Sequence, residues 1–341
     1  MKISTGMVKG IVILIGAWFV LTPLVAFAAN KVVVIPLFGS EQLKNVIIVA
    51  PANANFTDPV AAVESVGSSA SASNPYMVVI RPGVYTITRT LVMKPYVDIV
   101  GSGESVTSIR GGISASIAWT SAIIKGANNA ALSSLTVENT GGGSLSIALF
   151  NESASPKVTN VTATASGATY SNHGVINYSS SNPTMTNVIA TASASGGTAS
   201  NYGVANSSSN PTMTNVTATA SGGSSSNGVH NYSSNPTMTN VTAMATGASN
   251  NNYGVYNSSS NPTMTNVTAL ASGGTYSCGV YNNYASPIII RSTMLGIAEG
   301  LKTVGGSADL RQSTVWYGAL VESGGENVCV LCDNESGKLL N

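Results

Sequence analysis

The chain has 341 residues, a formal net charge of +1 and 43% hydrophobic residues, and only 8% of its residues are charged. That balance excludes charge-driven disorder and offers no electrostatic handle for nucleic acid or an anionic membrane surface. Between Lys157 and Arg291 the chain runs 133 residues without a charged side chain, so carboxylate acid–base catalysis and hard-metal sites are excluded from that stretch.

Residues 1–28 read as an export signal. Lys2 and Lys9 give a positive start, Ile11 to Val25 is an uncharged apolar run, and Ala26-Phe27-Ala28 is a small-x-small cleavage site. The apolar run is long enough that an uncleaved anchor competes with this reading, but Pro23 and the Ala-x-Ala site favour cleavage. Nothing later is apolar enough to span a bilayer. The expected location is extracytoplasmic: secreted, at the cell surface or in the periplasm, with no membrane contact after cleavage.

Residues 29–130 read as an N-terminal cap and the first coils of a solenoid. Val32 to Ile35 and Val46 to Val49 have the composition of buried strands. Asp58-Pro59 opens a short helix, with Asp58 as N-cap and Gly67 as the stop. Val60, Val63 and Val66 fall near one helix face, which suits a plug over the open end of a solenoid. Val78 to Tyr85 is a strand running into a Pro-Gly-x-Tyr turn, and Val97 to Glu104 ends in Gly-x-Gly-Glu before Thr107-Ser108-Ile109.

Residues 131–320 are repetitive. Pro-Thr-Met-Thr-Asn-Val begins at Pro183, Pro211, Pro236 and Pro262, a looser copy begins at Pro156, and the phrase is lost at Pro287. The proline spacings are 27, 28, 25, 26 and 25 residues. A near-constant period of this size means a solenoid. Within Pro262 to Ser286, Met264 and then Val267, Ala269 and Ala271 alternate with polar residues, but the parity changes at Asn266. A strand cannot switch faces without a bend, so Asn266 marks a corner. A Ser-Gly-Gly-Thr loop and a third strand, Cys278 to Asn282, complete the coil, with Val280 inward and Tyr281 outward. Three short strands in about 25 residues make one coil of an all-β, right-handed parallel β-helix.

Met185, Met213, Met238 and Met264 should then form one interior column, and Val161, Val188, Val216, Val241 and Val267 another. The corner asparagines Asn160, Asn187, Asn215, Asn240 and Asn266 should stack as an amide ladder of buried partners. A second asparagine column follows the Gly-Val strand, at Asn151, Asn177, Asn206, Asn231, Asn257 and Asn282. Four of the five corner asparagines also fit Asn-x-Thr glycosylation, but the ladder explains Asn187 too, where the threonine is replaced by Ile189. The register extends to Ser134 on one side and to Arg291 and Gln312 on the other. Residues 321–341 read as a C-terminal coil or cap, where Cys329 and Cys332 form a Cys-x-x-Cys that suits a local disulfide in an oxidising compartment. With two histidines far away, zinc is not expected. Cys278 stands in a slot filled elsewhere by His173, Tyr202, Asn227 and Tyr253, and reads as a buried, inert thiol.

The stretch from about 45 to 140, with its helix after a short strand, Pro-Gly-x-Tyr turn and Gly-x-Gly-Glu turn, resembles the opening of the pectin methylesterases and other pectin-lyase-fold proteins. The resemblance implies the fold. It does not carry the activity, because Ile87 stands where those esterases have glutamate and the central coils offer Ala, Ser, Thr and Asn in place of their paired aspartates. The repeat itself resembles that of bacterial exported right-handed β-helix repeat proteins.

No catalytic residue, metal site or cofactor is expected. Glu138 and Glu152 fall in one coil and are a conceivable carboxylate pair, though the charges at Asp98, Glu104, Glu299, Asp309, Glu322 and Glu326 read as solvated caps. His173 and His230 sit two coils apart in different slots and make a poor dyad. The candidate ligand-binding residues are His230, Tyr256 and Tyr281 on the outward face, with Tyr232 and Tyr284 near the following corner. They suit stacking on sugar rings; the competing reading is that the rings stack on one another and cover the sheet. The expected function is a non-catalytic exported module that binds an extracellular polysaccharide or cell-surface glycan, or that serves structurally. The alternative is a polysaccharide-active enzyme of the same fold.

Overall fold

A computed structural model describes residues 45–116 and 120–316, and the backbone of strands at 319–322, 326–330 and 333–334. The signal segment, the Cys329–Cys332 pairing and Val32 to Ile35 lie outside the described residues; of the C-terminal coil, the described strand backbones continue the parallel stack.

Every named strand pair is parallel, and the chain winds as the right-handed parallel β-helix its repeat predicts. Each repeat contributes three strands. In one central coil they are Thr212–Thr214, Thr217–Ser221 and Ser225–Tyr232. The first two lie on a 20-stranded sheet and the third on a 10-stranded sheet. Strict register stacks Thr184, Thr212, Thr237 and Thr263 on one another, and likewise Met185, Met213, Met238 and Met264. The methionines are fully buried, as is the alanine column Ala163, Ala190, Ala218, Ala243 and Ala269.

The corner between the first two strands is a single residue with positive φ: Asn160, Asn187, Asn215, Asn240 and Asn266 all lie at 53–54°. Asparagine tolerates this left-handed conformation better than other residues with a Cβ. Ser134, Arg291 and Gln312 hold the same conformation at the coils beyond the exact repeats. In Lys157–Ser166 and Thr184–Ser193 the two strands run on as one through that residue.

The corner asparagines form their ladder, each Nδ2 donating to the Oδ1 of the coil before at 2.9–3.1 Å. It is not a buried ladder: Asn215, Asn240 and Asn266 are exposed. A side chain at a left-handed corner stands outside the coil, so its amide stays in water. The buried ladder is the second column. Asn151, Asn177, Asn206, Asn231, Asn257 and Asn282 donate in sequence at 2.8–2.9 Å, and Asn282 ends on Thr303 Oγ1 at 3.1 Å. Each of these asparagines is at most 1% exposed, so the ladder satisfies amides that the core would otherwise strand.

At the N-terminal end, Asp58 Oδ1 accepts from the Val60 amide at 2.8 Å and caps the helix Pro59–Ser65. Val60, Val63 and Val66 are buried in the same apolar cluster as Val49, Val78 and Leu91. The helix thus covers the end of the core. Tyr85 in the Pro-Gly-x-Tyr turn is buried and donates to the Arg81 carbonyl at 2.8 Å.

Candidate functional site

The third strand of each coil carries the candidate residues. Along Ser171–Tyr178 the alternation breaks at Gly174: His173 is partly exposed, Val175 buried, Ile176 partly exposed and Asn177 buried. Two outward slots result. The first runs His173, Tyr202, Asn227, Tyr253 and Cys278, and the second Ile176, Ala205, His230, Tyr256 and Tyr281.

Rings from both slots join in one ribbon. His173 stacks on Tyr202 with centroids 4.8 Å apart, Tyr202 on His230 at 5.5 Å, and His230 on Tyr256 at 4.9 Å. Tyr256 and Tyr281 lie 5.3 Å apart, and Tyr253 stacks on Tyr281 at 5.2 Å. The ribbon crosses from slot to slot where Asn227 replaces a ring. His230, Tyr256 and Tyr281 are therefore brought together, half-buried, with neighbouring rings over their faces. Offset stacks of this kind stabilise the outer sheet face beyond area burial alone. Tyr232 and Tyr284 are not in the ribbon. They stand exposed at the next corner, as does Tyr178, in register with Tyr232 through Ser207.

Burial sets the protonation of the ribbon. Desolvation lowers His173 to about 3, with a further electrostatic contribution from His230 on the far side of Tyr202, and lowers His230 to about 4. Both imidazoles are neutral at physiological pH. Ser171 Oγ lies 2.8 Å from His173 Nε2. His173 Nδ1 and Asn227 Oδ1 are buried without a protein partner, so each has capacity for a water or a ligand hydroxyl.

Past the ribbon, the Tyr276 hydroxyl donates to the buried Glu299 carboxylate, and Lys302 Nζ lies 5.4 Å from the centre of the Tyr276 ring. Burial, then Cys278 and Glu299, push the Tyr276 hydroxyl well above its ordinary range. Cys278 is fully buried, its thiol donates to the Val280 carbonyl at 3.1 Å, and burial and Glu299 raise its pKa. It has no thiolate to offer as a nucleophile.

Glu138 and Glu152 fall on different sheets: Glu138 pairs in register with Arg110 and Thr164, while Glu152 forms an ion pair with Lys125 at 2.9 Å. Among the described residues, no group of three His, Cys, Asp or Glu side chains could hold a metal ion.

No family model and no curated protein matches the sequence. Solved structures similar to the chain include the A-module of the mannuronan C-5 epimerase AlgE6 of Azotobacter vinelandii. It is 16% identical, with a TM-score of 0.45, over 81% of this chain and 89% of that one. The pectin methylesterase of Yersinia enterocolitica is 12% identical, with a TM-score of 0.44, over 80% and 94%. The Dettilon tailspike protein is 10% identical, with a TM-score of 0.47, over 83% and 68%.

Proposed function

We propose that this chain is an exported, non-catalytic β-helix that binds a neutral extracellular glycan along the corner beside its aromatic ribbon. The observation that carries this reading is the exposure of Tyr178, Tyr232 and Tyr284, at 46%, 52% and 70%, on a surface otherwise written in Ser and Asn. An open tyrosine face accepts the apolar side of a sugar ring, and the hydroxyls around it bond the ring's own hydroxyls. Tyr178 and Tyr232 stand two coils apart, about 10 Å, a spacing that suits alternate sugars of an extended chain.

Neutrality follows from charge. An acidic polysaccharide would call for cations along its path, and this face carries none between Lys157 and Arg291. His230, Tyr256 and Tyr281 serve in this reading as the stacked rings beside the exposed tyrosines.

The test is retention of the purified chain on a panel of neutral and acidic polysaccharides, scored together with release of reducing ends and loss of methyl esters. Retention on a neutral glycan without turnover is expected, and it should vanish in Tyr178→Ala/Tyr232→Ala while the melting temperature holds. Turnover of any substrate, or unchanged retention in the double variant, would overturn the reading.

A further inference from the structure

Each Thr-Met-Thr strand buries its methionine and turns two threonines outward. Register places Thr184, Thr212, Thr237 and Thr263 in one column, and Thr159, Thr186, Thr214, Thr239 and Thr265 in the next. Coils repeat at about 4.8 Å, and residues two apart along a strand at about 6.6 Å. The threonines therefore occupy a near-rectangular grid, about 14 Å long over the four exact repeats.

Two facts characterise this grid. Ser181, Ser209, Ser234 and Ser260 accept from backbone amides of the preceding coil and the asparagines form ladders, but the grid hydroxyls are not spent in this way. Among the described residues, none of the nine grid threonines has a side-chain hydrogen bond; the hydroxyl of Thr159, in the coil before the exact repeats, is buried and lies off the exposed part of the grid. The grid is also stiff. Threonine is restricted at χ1 by its branch, and the corner asparagines tie its edge coil to coil.

A stiff, uncharged grid of free hydroxyls alternating with methyls orders water in two dimensions, with water bonded to each hydroxyl and caged around each methyl. The two repeats of this grid are close to those of oxygen atoms on the prism face of hexagonal ice. We propose that the Thr-Met-Thr face of the solenoid binds ice. The ligand is water in crystalline form, and the match is between two lattices. A soluble glycan offers no second repeat direction, so this site is separate from the tyrosine corner and stands or falls independently of it. Preorganisation matters because little rotamer freedom is left to lose on binding.

The experiment grows ice slowly from a solution of the purified chain, measures the fraction of protein taken into the ice, and follows crystal shape by microscopy. The wild-type chain should concentrate in the ice and facet it. Thr214→Lys/Thr239→Lys, which plants two charges in the middle of the grid, should be excluded like an ordinary solute. Thr214→Ser/Thr239→Ser keeps the hydroxyls, removes only two methyls, and should lose most of the incorporation; it decides the matter if the lysine variant melts early. Tyr178→Ala/Tyr232→Ala should be incorporated as the wild type is. Exclusion of the wild type, equal incorporation of a folded threonine variant, or threonine-dependent partition onto insoluble cellulose or chitin in place of ice would each overturn the proposal.

Discussion

Gly228 faces the backbone of Met244 across the interior of the solenoid, and a Cβ placed on the glycine would lie 2.5 Å from the Met244 amide nitrogen. Gly174, Gly203, Gly254 and Gly279 repeat the relationship with Thr191, Thr219, Leu270 and Leu295, at 2.6–2.7 Å. The third strand thus closes on the second with no room for a side chain, which is why Gly-Val recurs in each repeat; in the exact repeats the buried residue just before each of these contacts is alanine, Ala190, Ala218, Ala243 and Ala269. The contact is backbone against backbone, so no rotamer change relieves it. Gly228→Ala should destabilise the chain by about 1–3 kcal/mol through overpacking. Chemical denaturation measures this, and an unchanged midpoint would mean that the coil is wider at this point.

The two asparagine ladders predict a graded series. Asn206 accepts from Asn177 and donates to Asn231, both at 2.8 Å, in the core. Asn206→Ala strands a donor and an acceptor, each worth about 1–3 kcal/mol when buried. Asn215 is exposed and its partners can turn to water. Asn215→Ala should cost less, about 1–2 kcal/mol, and chiefly because alanine resists the left-handed backbone at φ 54°. Asn215→Gly relieves that strain and should lie closest to wild type. Melting temperatures in the order Asn215→Gly, Asn215→Ala, Asn206→Ala, from highest to lowest, are expected; an inverted order would remove the distinction between the ladders.

Much of this architecture is legible in the sequence because the repeat exposes two independent signals. Proline spacing gives the coil length, and the parity change at Asn266 gives a corner whose left-handed backbone is then observed. Which asparagine column is buried is not legible, since both columns share the residue type and the period. The answer turns on Gly174 and its equivalents, where the third strand breaks its alternation and sends the following asparagine inward. That the outward rings stack on one another is one of the two readings the sequence supports, but that both slots join in a single ribbon is not legible. Reading each slot separately places Asn227 as a gap, whereas neighbouring slots lie close enough for Tyr202 to stack on His230 across it. The period-2 alternation around each buried methionine puts the grid threonines on the outer face, but that their hydroxyls find no partner depends on how the coils stack.

The histidines of the ribbon make stability depend on pH, and the sign follows from their depressed pKa values. An unfolded chain binds protons at both histidines near pH 6.5, whereas the folded chain holds His230 neutral to about 4 and His173 to about 3. Their contribution is fully present above pH 6.5 and is lost as pH falls from there toward 4. The limiting slope is about 1.4 kcal/mol per pH unit for each group, and the true slope is smaller because the ring edges reach solvent. The chain should melt at constant temperature from pH 7 to 8 and progressively earlier below 6.5. His230→Tyr extends the tyrosine stack already formed by Tyr256 and Tyr281 and removes one titrating group. It should reduce the slope between pH 6.5 and 4 by about half. Thermal unfolding across that range checks both statements, and a slope unaltered by His230→Tyr would place the acid sensitivity outside the ribbon.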